Sequence, residues 1–563
     1  VGDTLYLCTP HNWLVALDAD SGKQRWMFNP KVGTDQQRQH QTCRGVSYYA
    51  GVQTQAQQPA TQTAGVCNER IFLPTSDAKL YAVNPKTGEL CRDFAQEGVL
   101  DLMHNMPFKQ SGYYYSTSAP LVAAGQVIVA GSVNDNYAVD EPSGVIRAYD
   151  AMSGKLMWNW DAGHPDDTTP LDPSNPNQKY ATSSPNSWST ASADEKLGLA
   201  YFPMGNRTPD QLGMYRSPAE EKYSSSVVAL DLKTGQARWV QQFVHHDLWD
   251  MDTPAQPSLV DITTAKGVEP GLVVPTKQGD VYVLNRATGE AIIPIGQVAA
   301  GSTQTIPEDW ASPVQPVSGL SFNPEPLSEK KMWGASLVDQ MLCRIEFNKL
   351  NYSGRYTPPS LEGTIVYPGN FGVFNWGSIA VDPKKQVMFG MPLHLAFVSK
   401  LIPQSEINKG GGVNTGEHGV NANAGAPYGI SLVEKGPNPN AGKLWLNFIM
   451  TDFGQGIFGA VHARVHQLAA VAALDLDHEV FAVLEQAQGA AVVGDRGGIE
   501  QDKALHGGLG WRRRESSQPR AMKNGSAISG KLSMPEYRRC MSRFRKTVLP
   551  SSHRAMPGAA SMR

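Results

Sequence analysis

Val227-Val228-Ala229-Leu230-Asp231-Leu232-Lys233-Thr234-Gly235-Gln236, followed by Trp239, is the stretch on which the reading of the fold turns. An apolar run leads into Asp231, whose side chain starts a turn by bonding its own backbone. Gly235 takes the positive-φ position. A second strand leaves toward Trp239, so the unit reads as a β-hairpin. The same signature recurs at Leu17–Lys23 with Trp26, at Val83–Glu89, at Tyr149–Lys155 with Trp158, and at Leu284–Glu290. The turn glycines Gly22, Gly88, Gly154, Gly235 and Gly289 lie 66, 66, 81 and 54 residues apart. One hairpin cannot bury its own apolar face. Units repeated radially can, which is the logic of a β-propeller. The irregular spacing implies long insertions between blades, and such loops often build the site. Five copies of one turn argue against a set of unrelated hairpins.

Composition agrees with this reading. The 563 residues include 54 Gly, 39 Pro and 12 Trp, with 18 % charged side chains. High Gly and Pro with low charge suit a large, turn-rich β protein and argue against a coiled coil, a helical bundle or a disordered chain. The formal net charge of −3 gives no reason to expect nucleic acid as a partner. The charge is uneven, however. Residues 501–563 hold 14 Lys and Arg against 3 Asp and Glu, which leaves −14 on the first 500 residues. The strand-and-turn text runs to about Leu432. Residues 433–563 read as an atypical tail, basic from about 501, that suits a solvated end or an anionic surface.

The six cysteines, Cys8, Cys43, Cys67, Cys91, Cys343 and Cys540, include no CxxC pair. A structural zinc site is therefore not indicated, and so sparse a set does not make a disulfide-stapled scaffold. No apolar run reaches the roughly 18 residues that a membrane span needs. No GxGxxG opens a helix, and neither a Walker A sequence nor HExxH is present. The chain opens on Asp3-Thr4-Leu5-Tyr6-Leu7, a strand already under way, and reads as a piece whose start lies upstream.

Chemistry is concentrated in a few clusters. His245-His246-Asp247-Leu248-Trp249-Asp250-Met251-Asp252 puts three carboxylates and two imidazoles into eight residues. A carboxylate among such neighbours acquires a shifted pKa and serves as a general base. The competing reading is a polar loop with its hydrogen bonds satisfied internally. Asp135-Asn136, just after the apolar strand Val127–Ala130, offers oxygens that suit a hard cation such as Ca²⁺, or makes an ordinary Asx turn. Trp188, in Ser184-Pro185-Asn186-Ser187-Trp188, is a stacking floor or a core residue. Lys277 follows an apolar strand and matters if it points down a propeller axis. His40 and Arg44 sit together in His40-Gln41-Thr42-Cys43-Arg44 near the first blade, and both could equally belong to a surface loop.

Taken together these residues resemble the periplasmic domain of the membrane-bound quinoprotein glucose dehydrogenases. The resemblance runs from Val1 to about Leu432. It is carried by Val1–Leu7, His40–Gly45, Ser132–Asn136, Ser184–Trp188, His245–Asp252, Met332–Ala335 and Tyr367–Asn370. It implies an all-β fold, an eight-bladed propeller that binds pyrroloquinoline quinone (PQQ) and Ca²⁺ or Mg²⁺ on its axis. It implies oxidation of D-glucose and other aldoses at C1 to the lactone, with electrons passed to ubiquinone, on the periplasmic side of the bacterial inner membrane. Carried over residue by residue, Asp250 is the expected general base and Lys277 the group that hydrogen-bonds the quinone. Asp135 and Asn136 are expected metal ligands, Trp188 the stacking floor, and His40 and Arg44 cofactor- or substrate-side residues.

Three departures accompany the likeness. The family's amino-terminal membrane-spanning helices and the opening of its first blade are missing. Its final blades and ring-closing strand are not recognisable after Leu432, so the propeller is expected to be incomplete at both ends. Met391-Pro392 stands where the family commonly has Asn before Pro, which removes a polar contact near the cofactor. Two other readings remain. A PQQ-dependent alcohol dehydrogenase would carry adjacent cysteines near the cofactor, and here none are adjacent. A non-catalytic propeller scaffold would not need Asp250, Lys277 and Trp188 to converge.

Overall fold

The computed structural model describes residues 1–33, 41–51, 65–134, 136, 139–332 and 336–401, which lie within one compact unit of the chain. His40, Asp135 and the whole tail from 433 onward fall outside the described residues. Twenty-six strands and only two α-helices make the described part an all-β fold.

The strands form antiparallel sheets, most of which run in chain order, while Tyr114–Tyr115 pairs with Ser132–Val133 and Thr364–Val366 with Phe397–Ser399 across intervening strands. The first has three strands, Thr4–Cys8, Leu14–Asp18 and Gln24–Phe28. Four-stranded sheets follow over Ser47–Asp101, Leu121–Trp160 and Ser192–Gln242, and a three-stranded sheet spans Ser258–Asn285. Each of these five sheets carries one copy of the turn signature. Further two-stranded sheets lie between Ile295 and Ser399.

The turns form as their chemistry dictates. Asp18 Oδ1 accepts from the amides of Asp20 and Ser21 at 3.2 and 2.8 Å, and Asp231 Oδ1 does the same for Lys233 and Thr234 at 3.0 and 2.9 Å. All five turn glycines have φ between +69° and +80°. Each donates its N–H to the carbonyl of the Asp or Asn that opens the turn, at 2.8–2.9 Å. Three copies also share a register shift at one place, between Ala16 and Leu17, Ala148 and Tyr149, and Ala229 and Leu230. A bulge there strengthens the local twist.

The tryptophans join one sheet to the next. The Trp26 indole donates 3.0 Å to Pro85 O, Trp158 donates 2.9 Å to Leu232 O, and Trp239 donates 3.2 Å to Arg286 O. Each acceptor sits in the turn of the following sheet. The indole lies so close to that turn's glycine that an added Cβ would come within 2.7 Å of Trp26 at Gly88, 2.6 Å of Trp158 at Gly235 and 2.8 Å of Trp239 at Gly289. Glycine is therefore required twice over, for its φ and for the ring that covers it. The second copy has no Trp after its turn, and Gly154 meets Ala95 instead.

Apolar cores fill the gaps between successive sheets. Ile128, Ala148 and Trp158 of one sheet pack with Ala200, Val228 and Leu230 of the next. A sheet covered on both faces needs unbroken apolar strands rather than alternating ones. Leu199–Pro203 is accordingly buried at every position.

Two disulfides, Cys8–Cys43 and Cys67–Cys91, close chain separations of 35 and 24 residues. Loop closure of that size contributes about 3–4 kcal/mol each. The pairing was not readable from six scattered cysteines. Among the described residues no helix is long and apolar enough to cross a membrane.

Candidate active site

The segment His245–Asp252 is held by its own carboxylates before any chemistry is considered. Asp247 is fully buried. Its oxygens accept from the amides of Trp249 and Met251 at 2.9 and 2.7 Å, from Asn206 Nδ2 at 2.8 Å and from Ser225 Oγ at 2.6 Å. Of the three acids in this cluster, Asp247 is therefore the structural one. His246 is also buried. Its ring nitrogens face Glu221 at 3.2 Å and Asp309 at 2.8 Å, and the ring stacks on Trp310 at 3.8 Å. Glu221 is placed by the short helix Pro218–Tyr223, which Ser217 and Glu220 close with a capping box.

These anchors hold Asp250 at φ +58°. For a residue with a side chain that conformation costs about 1 kcal/mol or more, and such strain clusters at functional sites. Asp250 is buried and faces Lys277, whose Nζ lies 2.7 Å from Asp250 Oδ1 and 3.0 Å from the Asp250 carbonyl. Lys277 also pairs with Asp252 Oδ1. Gly372 packs so tightly on Lys277 that a Cβ would come within 2.6 Å of its Cα, and Val373 N donates 2.7 Å to Lys277 O.

Asp252 reaches further. Its Oδ2 accepts from Trp188 Nε1 at 2.5 Å. The Trp188 carbonyl is fixed by Thr117 Oγ1 at 3.0 Å and Ser118 Oγ at 2.7 Å. The Arg44 guanidinium stands over the Trp188 ring at 5.3 Å and over Trp376 at 5.0 Å, and Lys277 Nζ is 5.9 Å from the Trp188 ring. The structure thus brings Asp250, Lys277, Trp188 and Arg44 to one place.

Asn136 lies on a neighbouring loop with φ +57°. Its amide N donates 2.9 Å to Thr208 Oγ1, its Nδ2 donates 2.6 Å to Asp210 Oδ2, and its Oδ1 accepts from Asp210 N at 2.7 Å. Paired hydrogen bonds thus tie the Asn136 side chain to Asp210. Among the described residues, no three His, Cys, Asp or Glu side chains are gathered as metal ligands. Met391 is exposed.

Charge in the cluster is unbalanced, with two carboxylates on one ammonium. Burial pushes the Asp250 carboxyl well above the usual range. Lys277 opposes that rise, and the negative charges of Asp252 and Asp210 add to it. Burial acts against the Lys277 ammonium too, but Asp250 and Asp252 outweigh it and keep the amine protonated far beyond neutral pH. The arrangement is a carboxylate of raised proton affinity beside a fixed cation and a half-buried indole. It can accept a proton from a hydroxyl and can hold a flat anionic ring.

Sequence reasoning had not assigned roles to Asp252, Asp210 or Trp376. Asp252 stood inside the quoted cluster, but spacing cannot tell which of three acids faces inward. Asp210 and Trp376 gave no local signal.

Comparison with known proteins bears on the family. The family described as "PQQ: Glucose/ethanol/alcohol dehydrogenase, beta-propeller domain" matches residues 1–440. The chain is 45 % identical over 444 residues to the quinoprotein glucose dehydrogenase of Escherichia coli, covering 77 % of this chain and 54 % of that protein. It is 40 % identical over 441 residues to the enzyme of that name from Gluconobacter oxydans, covering 76 % and 54 %. The quinate/shikimate dehydrogenase (quinone) of Acinetobacter baylyi is 38 % identical over 449 residues, covering 77 % and 54 %. Among solved structures, the quinohemoprotein alcohol dehydrogenase of Comamonas testosteroni superimposes with a TM-score of 0.46 at 20 % identity, covering 69 % of this chain and 49 % of that one. The chain spans about half the length of the curated relatives it matches. With one family description covering more than three quarters of its residues and such identity beyond it, this chain belongs to the PQQ-dependent glucose, ethanol and alcohol dehydrogenase family of β-propellers.

Proposed function

We propose that this chain carries the cofactor-binding propeller of a quinoprotein that oxidises D-glucose, and other aldoses, at C1 to the lactone. The observation that carries the reading is the convergence of Asp250, Lys277 and Trp188 on one buried point, in a chain 40–45 % identical to quinoprotein glucose dehydrogenases. We read residues 1–432 as the propeller part, within the 1–440 that the family description matches.

When bound, PQQ supplies the hydride acceptor and a Ca²⁺ or Mg²⁺ ion the Lewis acid. The residues present fit the quinone. Trp188 offers a stacking face, Arg44 and Lys277 offer cations to an anionic ring system, and His40, four residues before Arg44 in sequence, is read as a further cofactor- or substrate-side residue. Asp135 and Asn136 would hold the cation. Lys277 occupies Asp250 Oδ1, so Oδ2 is the oxygen that takes the proton from the sugar C1 hydroxyl. Lys277 stays charged, and its positive field would stabilise the oxygen that gains electron density. The indole and the buried walls exclude water from the reacting atoms.

Electrons then pass to ubiquinone, on the periplasmic face of the bacterial inner membrane, in a parent protein anchored by amino-terminal helices. The two disulfides support an oxidising compartment. The test is reconstitution with PQQ and Ca²⁺, followed by dye-linked oxidation of glucose, quinate, glycerol and ethanol. Turnover of glucose above the others is expected. Preference for ethanol would favour the alcohol-dehydrogenase reading, and no PQQ uptake would favour a scaffold.

A further inference from the structure

We propose that Asp252 is the positioning residue of this site, one oxygen fixing the Trp188 indole and the other sharing the Lys277 ammonium with Asp250. The proposal rests on the reading of the site given above and adds to it a single carboxylate that sets floor, cation and base together.

Three observations carry it. Trp188 Nε1 donates 2.5 Å to Asp252 Oδ2, a charge-assisted bond at the edge of a ring whose faces are left to other groups. Asp252 Oδ1 pairs with Lys277 Nζ, which also holds Asp250 Oδ1 at 2.7 Å. Gly205 leaves the space that Asp252 needs, since a Cβ there would lie 3.2 Å from Asp252 Oδ2 and 2.8 Å from Asn186 Oδ1. Asp252 is itself buried, so its geometry is fixed by these partners rather than by water.

The charge of Asp252 has a chemical consequence. The groups facing Asp250 are Lys277 from the turn after Gly267–Pro275, Asp252 from its own loop and Asp210 from the loop before Pro218–Tyr223. With Asp252 present, the Lys277 ammonium is divided between two carboxylates. Asp250 then binds a proton more readily and is the stronger base. With Asp252 neutral, Lys277 pairs with Asp250 alone and favours its ionised form.

The test has two arms on the full chain. In apo protein labelled with ¹⁵N-tryptophan, the Trp188 indole N–H is assigned by its loss in Trp188→Phe. It should resonate downfield and exchange slowly with solvent. A water-like resonance in the parent overturns the proposal with no variant needed. Asp252→Ala should move this signal upfield and speed its exchange at least tenfold, and Asp252→Asn, whose amide oxygen still accepts, should move it less. The indole signals of Trp26, Trp158 and Trp239, bound to carbonyls elsewhere, report that the propeller is intact. In protein loaded with PQQ, Asp252→Asn should lower the plateau of kcat/KM and move its acid limb down by about one pH unit. A lower plateau with an unmoved limb would mean a merely structural role and would overturn the proposal. A parent that takes up no PQQ would remove the functional reading and leave the apo arm standing.

Discussion

Lys277 Nζ bonds both Asp250 Oδ1 at 2.7 Å and the Asp250 main-chain oxygen at 3.0 Å, so one ammonium fixes the side chain and the left-handed backbone of the same residue. The proposed base is therefore held from two sides, and the two partners should fail differently when removed.

Asp250→Asn keeps nearly the same shape, and its amide oxygen still accepts from Lys277. Only the ability to take a proton is lost. Turnover should fall about 10²–10⁴-fold while PQQ titration stays close to that of the parent. Glucose oxidation at the parental rate would remove Asp250 from the base role.

Lys277→Ala leaves Asp250 and Asp252 buried without their cation. Losing one partner of a buried pair costs about 3–5 kcal/mol when the remaining charge cannot leave. Here it can leave by protonation, because burial already raises the Asp250 carboxyl. A carboxyl whose folded-state proton affinity is raised destabilises least at low pH, where it is neutral in folded and unfolded chains alike. The variant's melting point should therefore drop more at pH 8 than at pH 5, and PQQ binding should weaken. Equal losses at both pH values, with unchanged titration and turnover, would take Lys277 out of the site.

What was legible beforehand follows from how local each signal is. An Asx turn closed by glycine is written in five consecutive residues, so all five turns and the strands beside them could be read directly. The reason Gly88, Gly235 and Gly289 tolerate no side chain is different, because the indole that covers each one comes from 50–77 residues earlier. Asp247, Asp250 and Asp252 look alike in sequence. Only the fold shows that the first serves backbone amides, the second meets Lys277, and the third bridges Lys277 to Trp188. The disulfides were hidden for the same reason, since cysteine spacing carries no pairing. Asp210 and Trp376 arrive from loops that no pattern marks.

His246 gives the base loop a pH dependence of its own. Burial works against its charged form, but the hydrogen bonds to Asp309 and Glu221 outweigh burial and raise its pKa above 6.5. Arg216, 3.7 Å from Glu221, acts in the opposite sense. Because the folded value is the higher one, the stabilisation is complete below the unfolded value near 6.5 and fades as pH rises through the folded value. Between pH 6 and 9 the melting point of the parent should fall, and that of His246→Gln should fall less. Parallel curves would show that the imidazolium does not hold this loop.

Gly235 and Gly125 separate the two reasons for glycine in this fold. Both have φ near +75°, but a Cβ on Gly125 meets nothing within 4 Å, whereas one on Gly235 meets the Trp158 ring at 2.6 Å. Gly125→Ala should lose only the backbone term, about 1 kcal/mol. Gly235→Ala must also push a fully buried indole out of its seat and away from Leu232 O, for a total of about 3–4 kcal/mol. Paired thermal melts should show the larger drop for Gly235→Ala, together with brighter, red-shifted tryptophan emission as Trp158 meets water. Equal drops would mean that the indole adds nothing to the joint between successive sheets, and that the turn alone sets the need for glycine.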